Sequence, residues 1–286
     1  MRNYAGKDER GPKEDGARLL QTLLGSEQNI PEASLFDDDI FSRTCDMIDG
    51  RNGAKVIQDI SRLLVPSVEA LATRNARLEC LIESVNEGWN NAIPFTDPRP
   101  QPDYAVGFKR EAFTAEQLDK LSPFISDFIA SGQSYFMTTY YMYFLFLTFR
   151  AIVELFRLVK REEELHRQIL VFSISHDHRS VRIYSHYPVI NGKDTTFFRH
   201  PICAFDFTAM ESKEKWTSYR FIRNVYDIWL PNRLDKIRSV IDDLPSDFDF
   251  EVPLLPEESG LPKGFESHLS HSSTVPSWPS SSAAAM

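Results

Sequence analysis

The chain has 286 residues, of which 42% are hydrophobic and 12% aromatic, and a formal charge of −9. That apolar content is ample for one large core or two small ones, and the acidity argues against a generally basic nucleic-acid coat. Three scattered cysteines, Cys45, Cys80 and Cys203, form no Cys-x-x-Cys pair and indicate neither a disulfide framework nor a cysteine zinc site.

Charge is uneven along the chain: −5 over 1–50, −2 over 51–149, +5 over 150–240 and −7 over 241–286. The mildly basic 150–240 region permits contact with phosphates without demanding it. Residues 1–50 are polar and acidic, with Asp37-Asp38-Asp39, and read as a largely disordered region holding a short helix near Arg18–Leu24. They carry no apolar run of the kind a secretory signal needs, so an intracellular setting, cytoplasm or nucleus, is expected.

From Ala54 to Trp89 the apolar period is helical, through Val56, Ile57, Ile60, Leu63, Leu64, Val68, Leu71, Leu78, Leu81, Ile82 and Val85. Pro66 splits this stretch into two helices or kinks one. A Pro-rich loop leads to a short apolar strand at 102–108, PDYAVGF. Thr114 through Ile129 reads as a helix with Thr114 as N-cap.

Tyr135 through Phe149 has the aromatic, β-rich composition of a buried strand. Ile152, Leu155, Phe156 and Val159 then follow at helical spacing, with Arg157, Lys160 and Arg161 off that face. Met137 to Val159 is long enough to cross a bilayer, but Arg150, Glu154 and Arg157 would lie inside it, so a membrane span is rejected. Between Thr148 and Ala151 there is no Gly, Pro, Asn or Asp to turn the chain from strand to helix.

After Gln168 the period becomes two. Residues 169–175 and 180–190 flank a polar turn at His176–Arg179, and Asn191-Gly192 marks a second turn before strands at 195–200 and 202–208. Trp216, Tyr219, Ile222, Val225, Tyr226 and Trp229 form a helical stripe stopped by Pro231, and a last helix is expected over 233–243. From 247 on, Ser, Pro, Glu and Ala dominate, the composition of a disordered tail. The order of elements predicts a mixed α/β domain over 54–244 (α+β, mixed sheet) between tails at both ends.

One acidic residue heads an early strand. Nucleases that use Mg²⁺ hold it with carboxylates near the scissile phosphate, and a cation stabilises the developing charge. A strand bearing Glu-x-Lys puts both groups on one face. Pro102-Asp103 begins such a strand, although a turn residue after a Pro-rich loop reads the same way. His176, His178, His186, His200 and Cys203 raise a zinc site, but Asp177 and Arg179 indicate a turn rather than a shared strand face. The aromatic stripe at 216–229 raises a base-stacking platform, against the simpler reading of core. Lys160 and Glu164 stand in an i,i+4 relation, as on a solvated helix end. Neither a Gly-rich phosphate loop nor a Gly-x-Ser-x-Gly elbow occurs.

The stretches ESVNEGWNNAIPF, PRPQPDYAVGFKREAFT, SYFMTTYYMYFLFLTF, RAIVELFRLVKREEELHRQILVFSISHDHRSVRIYSHYPVING and EKWTSYRFIRNVYDIW resemble an uncharacterised domain family abundant in filamentous fungi. That family looks like a member of the restriction-endonuclease-like PD-(D/E)xK superfamily. The resemblance implies a restriction-endonuclease-like core, a Mg²⁺-dependent nuclease ancestry and nucleic acid as partner. It maps the first metal ligand to Asp103, and a helical Glu to Glu83 or Glu87. It also implies a Glu-x-Lys after Thr148, followed by a spacer. Here Phe149-Arg150-Ala151-Ile152 follows instead, so a segment is missing, through a mis-predicted intron or a real shortened variant. Glu154 lies in a helical setting and is a poor substitute. Two readings follow: a nuclease-like domain with Asp103 as a remnant, or a non-catalytic module that binds nucleic acid or protein through its basic region.

Overall fold

The computed structural model describes residues 4–5, 11–86, 103–121, 136–140, 146–209 and 212–245, with backbone alone at 4–5, 136–140 and 146–151. Seven strands form one mixed sheet. They are β1 (Tyr4–Ala5), β2 (Leu81–Val85), β3 (Tyr104–Phe108), β4 (Phe136–Tyr140), β5 (Val171–His176), β6 (Ser180–Asn191) and β7 (Asp194–Asp206), in the order β1-β7-β6-β5-β4-β3-β2. β2, β3 and β4 form an antiparallel meander, β4 and β5 are parallel, and β5, β6 and β7 are antiparallel again. Parallel neighbours require a crossover, and the helix α6 (Phe146–Leu158) supplies it.

The N-terminal residues, read from composition as loosely ordered, contribute α1 (Glu14–Gly25) and α2 (Phe41–Ile48). Leu23, Phe36 and Ile48 are fully buried, so a few apolar residues spaced to one side suffice to dock an otherwise polar stretch. The end of α1 is fixed from afar: the amide of Asn224 donates to the carbonyls of Leu23 (2.9 Å) and Ser26 (2.8 Å), satisfying acceptors that a helix C-terminus leaves open.

α3 (Gly53–Leu64) follows the expected period. Asn52 caps it by accepting from the Lys55 amide at 3.0 Å, and Val56, Ile60 and Leu64 face inward. Pro66 ends the helical run, and Ser67 caps the short α4 (Val68–Ala72). The helical period does not persist beyond Leu78. Leu81 to Val85 is strand β2, and both Leu81 and Ile82 are buried. A strand covered on both faces has consecutive apolar residues, which a helical template also fits. Thr114 and Gln117 form the expected reciprocal cap at 3.2 Å in each direction, opening α5 (Ala115–Leu121). The rest of that predicted helix lies outside the described residues.

The junction read as a strand colliding with a helix is differently built. β4 ends at Tyr140, and α6 is already under way at Phe146, so Thr148 to Ala151 lie inside a continuous helix and need no turn residue. Pro231 likewise does not stop the aromatic helix. α7 (Thr217–Asn224) passes through a π turn (Val225–Trp229) into α8 (Leu230–Asp242). The Leu230 amide bonds Val225 O, five residues back. This wider turn makes room where the proline ring would clash with the carbonyl of Asp227 and where the proline lacks a donor. Trp216, Tyr219, Tyr226 and Trp229 are all buried, which makes the stripe core rather than a stacking platform.

The sheet is held from two sides. On β5, Phe172 packs edge-on against Phe221 (5.4 Å) and Trp229 (4.9 Å) of the α7–α8 run. Strand alternation puts Thr195 on the opposite face, where Arg157 of α6 donates to its Oγ1 (2.8 Å) and to the carbonyl of Lys193 (2.9 Å). That arginine clamps the β6–β7 hairpin. The two turn residues are Gly192 and Lys193, one step later than the Asn-Gly signal, since Asn191 pairs with Asp194. Gly192 has φ +59°, the conformation that a type II′ turn reserves for glycine at its first position. Gly192→Ala is therefore expected to lower stability by about 1 kcal/mol, measurable by chemical denaturation. Among the described residues no helix is long and apolar enough to cross a membrane.

Candidate functional site

Asp103 immediately precedes β3 and is exposed. Its carbonyl oxygen accepts from the Asn86 amide at 3.1 Å, extending the β2–β3 ladder by one step beyond Val85 and Tyr104. Because β3 is antiparallel to β4 and β4 parallel to β5, Asp103 stands at the end of the sheet where β5 finishes at His176. The last turn of α3 crosses this end. Ser61 Oγ lies 3.0 Å from His176 Nε2, while His176 Nδ1 is 3.3 Å from the Asp177 carbonyl. Burial holds His176 below the usual histidine range. The Asp177 carbonyl and the charges of Asp177 and Asp103 oppose that shift without reversing it. The imidazole is thus neutral near pH 7, with Nδ1–H aimed at a carbonyl and Nε2 accepting from a hydroxyl.

The next residue of α3 serves a different group. Arg62 lies with its guanidinium 4.4 Å above the ring of Tyr104 and 3.7 Å from the Glu83 carboxylate. Glu83 accepts from Tyr104 Oη (2.6 Å) and Ser67 Oγ (2.9 Å). Tyr104 Oη itself accepts from the Val68 amide at 3.2 Å, and Tyr226 Oη donates to the Pro66 carbonyl at 3.2 Å. Burial first, then the neighbouring Tyr226 and Glu83, pushes the Tyr104 hydroxyl well above its ordinary range. Glu83 therefore ties the start of α4 to the sheet. It sits on strand β2 opposite Val106, not on a helix as the resemblance implied. Each of its two oxygens accepts a hydrogen bond from a protein hydroxyl.

Glu87, the alternative ligand, lies outside the described residues. Among the described residues no group of three or more His, Cys, Asp or Glu gathers to hold a metal ion. Glu154 pairs with Arg157 at 3.0 Å on α6. The histidines considered for zinc are dispersed. His178 meets Asp49 at 3.1 Å, His186 is buried against Ser173 at 2.8 Å, and His200 lies beside Gly11. The sequence puts Asp103 at the head of a strand but does not bring out Ser61 and His176, which meet at the same end of the sheet. The available signal was the polar pair Ser61-Arg62 breaking into the apolar run that ends α3.

The class of domain is defined by a mixed seven-stranded sheet with helices on both faces, at one end of which Asp103 and Asp177 are exposed. The profile of a family described as Domain of unknown function (DUF7924) matches residues 40–150 and 147–241, and the chain belongs to that family. No curated protein and no solved structure matches the chain. The two matched stretches meet at 147–150, within the first turns of α6.

Proposed function

We propose that this chain carries a restriction-endonuclease-like domain of the PD-(D/E)xK kind whose metal site is incomplete, and that it does not cleave nucleic acid. The observation that carries the reading is the family match, which divides at 147–150, where the Glu-x-Lys pair and its spacer are due. The topology supports it: a helix, an antiparallel three-stranded meander and a crossover helix lead into a parallel fourth strand, with Asp103 heading the meander's middle strand.

The chemistry follows from what remains. Mg²⁺ binds several oxygen ligands, usually including carboxylates, and the leaving phosphate needs a cation to stabilise its charge. Asp103 offers one carboxylate, and Glu83 is taken up by Tyr104, Ser67 and Arg62. The purified chain is expected to leave single- and double-stranded DNA and RNA intact with Mg²⁺ or Mn²⁺. Cutting by the wild type that disappears in Asp103→Ala would overturn the reading. Sequencing the transcript across the codons for Leu147 to Ile152 tests whether a Glu-x-Lys segment has been lost from the written chain.

A second reading, a non-catalytic nucleic-acid-binding module, has its own support. Residues 150–240 are net positive. Exposed Arg182 and Arg199 share a sheet face with Tyr184, over whose ring Arg199 lies at 4.7 Å. Salt-dependent DNA binding without metal-dependent cutting favours this module.

A further inference from the structure

Arg233 points into the core from the buried side of α8, one turn from Leu230 and Ile237. It is 5% exposed, and neither Nε nor Nη2 has a hydrogen-bond partner. Burial alone pulls its pKa down to about 10, so it remains charged at neutral pH. Removing a cation from water costs several kcal/mol unless an anion or a set of acceptors compensates it, and buried arginines are ordinarily paired.

The surrounding charges do not supply that compensation. Lys236, on the same helix, lies 3.4 Å from Glu164 and 5.7 Å above the ring of Phe156 on α6. Arg161 meets Glu164 at 2.6 Å and Asp243 at 2.6 Å. Arg161 and Lys236 thus take up Glu164 and Asp243, and neither carboxylate is paired with Arg233. The field of Arg233 reaches Lys236 and disfavours its protonated form, as does Arg161, although burial is the larger cause. The guanidinium of Arg233, the most buried of the three cations, is left without a carboxylate of its own.

We propose that Arg233 is the inner group of an oxyanion-binding site for a phosphate-class ion, with Lys236 at its outer edge. A tetrahedral oxyanion matches the planar fork of a guanidinium through two parallel hydrogen bonds, and its charge compensates that of Arg233. This inference is independent of whether the domain descends from a nuclease.

The test is thermal unfolding of the full chain at pH 7 in inorganic phosphate and in chloride at equal ionic strength. Phosphate is expected to raise the wild-type Tm saturably, by about 4 °C or more. In Arg233→Met the phosphate shift is lost, and the Tm in chloride equals or exceeds that of the wild type, because an apolar side chain replaces an uncompensated charge. Arg233→Lys keeps the charge without the fork, and its half-saturating phosphate concentration rises about tenfold. A phosphate shift that survives in Arg233→Met means an adventitious ion only and overturns the proposal. So does the absence of any shift in the wild type. An Arg233→Met chain that melts well below the wild type in chloride, or does not fold, also overturns it, because the arginine is then satisfied within the fold.

Discussion

Phe172→Ala is expected to cost about 3–5 kcal/mol of folding stability. The ring has no exposed surface, and β5, which carries it, is bonded to β4 on one side and β6 on the other. Two aromatic rings, Phe221 and Trp229, meet it edge-on, one from α7 and one from the π turn. Truncation removes the buried area and leaves a cavity between rigid elements that cannot close on it. Since domains of this kind are stable by roughly 5–15 kcal/mol, the loss is a large part of the total. Guanidinium titration of both proteins measures it. A change under 1 kcal/mol would show that β5 is not the strand on which the α7–α8 run docks.

Stability is also expected to fall by about 2 kcal/mol between pH 7 and pH 5 through His186. The imidazole is fully buried on β6, with Ser173 Oγ 2.8 Å from Nε2 and Arg199 directly opposite on β7. Burial first, and the Arg199 charge second, lower its pKa to about 3. The unfolded chain takes up a proton near pH 6.5, and the folded one does not until about pH 3. Protons therefore favour the unfolded state below pH 6.5, with a slope approaching 1.4 kcal/mol per pH unit. His176, also lowered by burial, adds to the same trend. The carboxyls of Glu164, Asp177 and Asp206, held below their usual range, lose their stabilising contribution only at more acid pH. Urea titrations at pH 7 and pH 5 on the wild type and His186→Gln isolate the contribution. An unchanged pH dependence in the variant removes His186 as its source.

Where local chemistry determines conformation, the chain was legible before folding. The Thr114–Gln117 cap, the strand character of 169–175 and 180–190, and the buried character of the aromatic stripe each depend on residues a few positions apart. What could not be read depends on distant partners. Residues 81–85 carry a helical period and become a strand because β3 offers a ladder to pair with. Within residues 11–50 only a short helix near Arg18–Leu24 is legible, yet Asn224, some two hundred positions away, fixes the end of α1. The candidate site divides in the same way. Asp103 is picked out by the proline before it and the apolar run after it, whereas Ser61 meets His176 only when α3 crosses the end of the sheet. The engagement of Glu83 by Tyr104 and Ser67 was equally hidden.

The π turn at 225–229 holds one residue more than an ordinary helical turn. Five residues wound that widely sweep about the same angle as four residues at the α-helical step of about 100°, so the surplus is absorbed within the turn. Deleting one residue there would let the turn close into α-helix and leave Leu234, Ile237 and Ile241 facing the interior. The same deletion inside α8 has no such slack, and it would re-aim every residue beyond it, Arg233 included if it fell earlier.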